Sequence, residues 1–406
     1  MRVCRVGWIS AILCAFAALP AVSANAIVDG AARLRFTPVD CPDVLEGDAT
    51  CHSARDERGA WIVVAMPARW NRRLVVHAHG GPRLSAPALE EALGDLDRFA
   101  MMVRAGYAWV GSTYRAPGYG VRRAAEDVDR SRIAFWQQWG RPERTLLHGQ
   151  SWGGNVAAKL AELQALDIDG SRIYDGVLTT NGVLSGGTQA YGFRADLRVV
   201  YQYFCRNHPA ADEPAYPLWQ GLPAGMVMTR DELNRRIHDC TGVDQPPARR
   251  SAAQASRLRQ ILAVSGVEEA QLASHLAWGT FHFQDLVHRH LDGSNPFENA
   301  RTRYGGSDDD DALNAGVERF SADREALDRL GWDADLTGLI AVPMLAGHAR
   351  YDPVVSASAL QAYAEAVNRA GRAHLFVGRI IEESDHSRPS DEAVLAALRD
   401  LEDWLD

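Results

Sequence analysis

Lysine is almost missing from this chain. Of 43 basic side chains, Lys159 alone is a lysine and the rest are arginine. A phosphate-cradling P-loop needs a motif lysine that has no counterpart here, and lysine Schiff-base chemistry is disfavoured for the same reason. A basic surface is missing too: 52 acidic side chains leave a formal charge of −9, which argues against a nucleic-acid partner. No His-Glu-x-x-His or Cys-x-x-Cys spacing appears, so the usual zinc patterns are absent. His275, His282, His288 and His290 are spaced as solvated histidines rather than as converging ligands. Asp308 to Asp311 lack the oxygen spacing and central glycine of a calcium loop, and read as a solvated turn with charge at a helix N-terminus. No repeat is evident at periods of about 20–50 residues. What is there is ordinary: 47% hydrophobic and 23% charged residues over 406 positions exclude a disordered, collagen-like or multi-span membrane chain.

The first residues have the form of an export signal. Arg2 and Arg5 precede an apolar run over residues 6–19, followed by Pro20 and the small-x-small sequence Ala24-Asn25-Ala26. Cleavage there would remove residues 1–26 and start the mature chain at Ile27. The apolar run is too short for a stable membrane span, so a secreted or periplasmic protein is expected. Cys4 and Cys14 leave with the signal. Cys41, Cys51, Cys205 and Cys240 remain and allow three pairings, of which the local one, Cys41–Cys51 with Cys205–Cys240, is simplest. In an oxidising compartment such loops would contribute about 3 and 4 kcal/mol on the chain-entropy account.

Short apolar runs at 33–39, 61–66, 73–79, 107–113, 144–148 and 176–180 alternate with helical spacing at 89–103, at 121–139 and from 156 onward. That alternation predicts an α/β fold with a mostly parallel sheet flanked by helices. From 185 to 335 buried strand runs stop, and helical segments appear at 230–237, 251–264 and 268–277. The α/β rhythm resumes with strands at 339–345 and 373–381 and helices at 356–370 and 391–405. The organisation expected is a core over 27–184, a helical lid or cap over 185–335 between the sixth and seventh strands, and the rest of the core over 336–406.

Gly149-Gln150-Ser151-Trp152-Gly153 matches G-x-S-x-G between a strand and a helix. Glycines on both sides allow a turn too sharp for a Cβ and present Ser151 above the strand's end. A serine nucleophile needs a base, and the base an orienting acid, in the order serine, acid, histidine. Asp352 follows the strand at 339–345, and His386 follows the last strand. His148 lies on a strand and points away from Ser151. His348 is the better rival base, and Asp385 adjoins His386 too closely to hold its Nδ1. The oxyanion donors expected are the Trp152 N–H and that of Gly80 or Gly81 in the turn His79-Gly80-Gly81-Pro82.

With these residues in place, the chain resembles the α/β-hydrolase superfamily over 55–184 and 336–406. Its core is similar to the catalytic domain of prolyl oligopeptidase-type hydrolases. These share the His-Gly-Gly-Pro turn, an Arg…Gly-Tyr-Gly loop (here Arg115 to Gly120) and G-x-S-x-G-G, continued here by Gly154. The resemblance implies serine-hydrolase chemistry without metal or organic cofactor. Those peptidases carry a β-propeller before the core and lack the helical insertion, which lidded esterases place at this point. The expected activity is therefore hydrolysis of small-molecule carboxylic esters through an acyl-enzyme. The alternatives are a peptidase or amidase acting on short peptides, an acyltransferase, or an inactive fold serving as a binding module. Tyr201, Tyr203, Phe204, Trp219, Trp278, Phe281 and Phe283, together with Trp152, are the candidate pocket aromatics. Oligomeric state stays open.

Overall fold

The computed structural model describes residues 33–406. The expected signal peptide, its cleavage point, Cys4 and Cys14 lie outside the described residues. Nine strands form one sheet: β1 Thr37–Val39, β2 Ala49–Arg55, β3 Trp61–Pro67, β4 Arg73–Ala78, β5 Ala108–Ser112, β6 Arg144–Gln150, β7 Gly176–Thr180, β8 Met344–Ala349 and β9 Phe376–Ile381. Their order is β1-β2-β3-β5-β4-β6-β7-β8-β9. The first three strands and the β3/β5 pair are antiparallel, and every pair from β5/β4 to β8/β9 is parallel.

Strand β2 was not expected, and it shifts the count. The helical stretch therefore follows the seventh strand and runs to the eighth, not from the sixth to the seventh. The strand expected at 339–345 begins only at Met344, because Pro343 has no N–H to give to a ladder. Its carbonyl still accepts the Val177 N–H at 2.9 Å.

Alternation along the parallel strands divides the core. Val76, Val110, Leu147 and Val177 face helices Val121–Trp139, Trp152–Gln164 and Ser358–Arg369. Val75, Trp109, Leu146 and Leu178 face the helices at 89–104 and Asp391–Leu405. A third cluster lies within the stretch between β7 and β8, where Leu197 and Tyr201 meet Leu233, Ile237, Ile261 and Leu276. Helix Gly186–Cys205, the longest of that stretch, was not foreseen in the sequence.

Both local disulfides are present. Cys41–Cys51 spans 5.2 Å between Cα atoms and Cys205–Cys240 spans 5.5 Å, the ordinary reach of such a bridge. The second ties the end of helix Gly186–Cys205 to helix Arg230–Thr241. Two disulfides fit an oxidising compartment. Among the described residues no helix is long and apolar enough to cross a membrane.

Candidate active site

Neighbouring strands β4 and β6 send their connections in opposite directions along the sheet. This is the switch point at which open α/β sheets form a crevice beyond the strands' carboxyl ends. Ser151 follows β6 and the Gly80-Gly81 turn follows β4. Ser151 has φ 57° and ψ −127°, a backbone state that L-residues hold only when the surroundings impose it. The glycines impose it by close approach. A Cβ on Gly149 would fall 2.7 Å from the Ala157 Cβ, and one on Gly153 would fall 2.6 Å from the His79 carbonyl oxygen. A Cβ on Gly154 would fall 2.6 Å from the Gly182 Cα.

The three residues named from order and context are brought together. His386 Nε2 lies 2.8 Å from Ser151 Oγ, and His386 Nδ1 lies 2.7 Å from Asp352 Oδ2. Asp352 Oδ1 accepts the N–H groups of Val354 (2.7 Å) and Val355 (3.0 Å). All three side chains are buried. The rivals fall away on geometry. His148 lies under the sheet's end, 2.9 Å from His77 between Nδ1 atoms. His348, which stands on β8 rather than on the loop, is 3.7 Å from Asp352 Oδ2 but bonds the Val355 carbonyl, and burial lowers its pKa. Asp385 turns its carboxylate to the N–H groups of Ser387 and Arg388.

Several residues that hold this constellation carried no signal in the sequence. Gln150 donates to the His386 carbonyl at 2.8 Å, and a Cβ on Gly80 would strike the Gln150 side chain, so one glutamine touches both the histidine loop and the Gly80-Gly81 turn. Asn181 donates to the carbonyls of Asp385 and His386, both at 2.9 Å, and accepts the Ala349 N–H. Gln271, from the stretch between β7 and β8, donates to the Asp352 carbonyl at 2.7 Å. Only a three-dimensional arrangement joins residues so far apart in sequence.

Trp152 opens a helix, where the first N–H groups have no intrahelical partner. Its indole turns away, buried against Tyr114, so the pocket role expected of the ring is not met. Gly81 takes φ 75°. Beneath the turn sits a buried polar cluster. His79 Nδ1 pairs with Asp95, which also pairs with Arg98, and the His79 carbonyl accepts the Tyr114 hydroxyl at 2.7 Å. Burial alone would raise the Asp95 pKa, but His79, His77 and Arg98 outweigh it and hold it well below the usual carboxylate range.

Burial pushes His77 down to about 3, His275 to about 2 and His282 to about 3, and lowers His148 strongly as well. These imidazoles are neutral in the fold but take up protons in the unfolded chain below its pKa of 6.5. Their contribution to stability is thus fully present above that pH and is lost as pH falls from there towards the folded values. The slope is up to about 1.4 kcal/mol per pH unit for each imidazole. Thermal denaturation across a pH series should show the midpoint dropping steeply on the acid side of pH 6.5. A flat midpoint there would contradict the burial assigned to these rings.

Of the expected pocket aromatics, Phe281 lines a cavity of 300 Å³ with Leu84, Met226 and Val227. That cavity begins two residues beyond Pro82 of the Gly80-Gly81 turn. Tyr203 lines a separate groove with Arg206 and Tyr216. Tyr201, Phe204, Trp219 and Phe283 pack into the core, and Trp278 stacks on His282. Among the described residues no group of three or more His, Cys, Asp or Glu side chains is placed to hold a metal ion. His290 instead lies 3.2 Å from Asp285, and His288 is 3.1 Å from the Leu222 carbonyl. Asp309 caps helix Asp310–Gly316, as the charge run suggested.

No family model matches the chain, and no curated protein matches it in sequence. Solved structures do match. An esterase from Aspergillus oryzae is 13% identical, aligned over 94% of this chain and 89% of its own, with a TM-score of 0.53. Candida antarctica lipase A is 11% identical over 89% of this chain and 79% of its own, with a TM-score of 0.47. A proline iminopeptidase from Mycobacterium smegmatis is 14% identical over 91% and 97%, with a TM-score of 0.42. The sheet order and the likeness to the Aspergillus esterase give this chain the α/β-hydrolase fold, as the sequence resemblance implied.

Proposed function

We propose that the chain is an exported serine hydrolase that cleaves carboxylic esters of small molecules. The observation that carries this reading is the hydrogen-bonded line from Ser151 Oγ through His386 to Asp352, set on a strained turn at the sheet's switch point. In the proposed reaction, Ser151 Oγ attacks the ester carbonyl carbon while His386 Nε2 takes its proton. The negative oxygen of the tetrahedral intermediate is held by the N–H of Trp152 and that of Gly80 or Gly81. The carbon–oxygen bond to the alcohol then breaks, and His386 returns the proton to the leaving oxygen. Water repeats the sequence on the acyl-enzyme and frees the acid and Ser151. Asp352 keeps the histidine proton on Nδ1 and stabilises the imidazolium. The cavity of Leu84, Met226, Val227 and Phe281 offers an apolar site beside the oxyanion turn for part of the substrate. The stretch between β7 and β8 serves as the cover over the serine. Export rests on the signal-like first 26 residues together with the two disulfides.

Matched panels of nitrophenyl esters and peptide nitroanilides test the reading with wild type and Ser151→Ala. Hydrolysis of esters by the wild type alone is expected. Nitroanilide cleavage at comparable kcat/KM would put a peptidase or amidase in its place, and activity persisting in Ser151→Ala would remove the serine from the mechanism.

A further inference from the structure

Helix Gly186–Cys205 buries two arginines one turn apart. Arg198 is engaged at both terminal nitrogens: Nη1 donates to Thr280 Oγ1 at 2.7 Å and lies 2.5 Å from His208 Nε2, and Nη2 donates to the Gly221 carbonyl at 3.1 Å, while its Nε has no partner. Arg194 differs. It is 3% exposed, its Nη1 reaches only the Ala190 carbonyl one turn back, and its Nε has no partner. Among the described residues no carboxylate pairs with it. Its flat faces rest by the rings of Phe193, at 4.7 Å, and Trp278, at 5.1 Å. Burial lowers its pKa to about 10, which leaves it charged at neutral pH. A buried cation without a counter-charge is costly to keep, and folds retain one where an anion arrives to meet it.

The space for that anion is present. Arg194 lines a cavity of 240 Å³ together with Ser185, Gln189, Gln271 and His275. His275 Nδ1 is likewise buried without a partner, and burial keeps that ring neutral. The cavity shares its wall with the triad. Val183, in the lining, donates its N–H to the Ser151 carbonyl at 2.9 Å, and Val355, also in the lining, donates to Asp352 Oδ1.

We propose that Arg194 anchors a carboxylate subsite, and that the substrates are esters bearing a second, free carboxylate remote from the scissile bond. Arg194 is the cation of this lining, and with Nη1 on the Ala190 carbonyl its Nη2 is the donor left for a carboxylate; Gln189 and His275 stand in the same lining. This specificity rests on the serine-hydrolase reading above. Either half of the ester can carry the carboxylate, since both are the same chemistry to the arginine.

Acid release followed in a pH-stat tests it. Monoethyl succinate, glutarate and adipate are compared with ethyl butanoate, pentanoate and hexanoate for a carboxylate on the acyl side. 3-Butyryloxypropanoate is compared with propyl butanoate for one on the alcohol side. The wild type is expected to favour one carboxylated series by at least 10-fold in kcat/KM, at the chain length that spans the distance from Ser151 to Arg194. Arg194→Met should lower that ratio at least 10-fold, and Arg194→Lys should restore part of it. Free glutarate should raise the Tm of wild type and of Ser151→Ala, but not of Arg194→Met. A neutral preference at every length, or a ratio unmoved by Arg194→Met, overturns the subsite. If no ester of either kind is cleaved, the hydrolase reading fails, while the glutarate shift still decides whether Arg194 takes an anion. If Arg194→Met does not fold, the wild-type ratio and glutarate shift decide it.

Discussion

Ser151→Ala is expected to lower kcat by about 10⁶ and Asp352→Asn by about 10⁴, with the fold intact in both. The second figure follows from the hydrogen bonds around the carboxylate. Asp352 Oδ1 accepts two backbone N–H groups, from Val354 and Val355, so an asparagine must place its carbonyl there. Its NH₂ would then face His386 Nδ1 in place of Oδ2. That forces the imidazole proton onto Nε2, where it can no longer accept the serine proton. The size and shape of the side chain barely change, so circular dichroism and Tm should stay near wild type while single-turnover acylation collapses. A kcat within tenfold of wild type in Asp352→Asn would mean that another group orients His386.

Gly153→Ala should damage catalysis and stability together. Its Cβ would press on the Ala78 and His79 carbonyls, the backbone that leads into the Gly80-Gly81 turn proposed to hold the oxyanion. Neither atom belongs to a flexible side chain that could swing away. Relief must come from moving the start of the helix, with the Trp152 N–H, or moving the turn that holds Gly80 and Gly81. Loss of one well-placed oxyanion donor costs roughly 10²–10³ in kcat, and overpacking of this kind about 1–3 kcal/mol. Gly192→Ala is the matched control. It lies inside helix Gly186–Cys205 with nothing within 4 Å of its Cβ position, and should stabilise by about 0.5–1 kcal/mol. Activity and Tm from urea or thermal unfolding would separate the two glycines. A Gly153→Ala enzyme as active and stable as wild type would contradict the packing described at the elbow.

Ser151, Asp352 and His386 were readable because each lies where the chain must leave a strand, and strand ends can be found from short apolar runs. The supporting residues were not. Gln150, Asn181, Gln271 and Asp95 are ordinary polar residues whose partners lie far along the chain, and no local spacing marks them. Strand β2 escaped because Ala-Thr-Cys-His-Ser-Ala-Arg is mostly small and polar. Its strand state comes from antiparallel pairing along the whole of β3. Helix Gly186–Cys205 opens with two glycines and carries a third, against helical propensity. It forms because Tyr191, Leu197, Val200 and Tyr201 are buried along it. The parallel core, by contrast, is written in runs of valine, leucine and alanine that can hardly be anything else.

The shortage of lysine has a practical side. Lys159 is 3% exposed, and its ammonium is engaged by the carbonyl of Asp335, whose carboxylate takes the Thr188 N–H and hydroxyl at 2.7 Å. The only side-chain amine thus pins the helix after Ser151 to the point where the helical stretch returns to the sheet. Reagents that acylate amines therefore find no accessible lysine among the described residues of the folded protein. Lys159 becomes reactive only when that seam parts, so acylation of Lys159 counted by mass is a built-in report that the helical stretch between β7 and β8 has come away from the sheet.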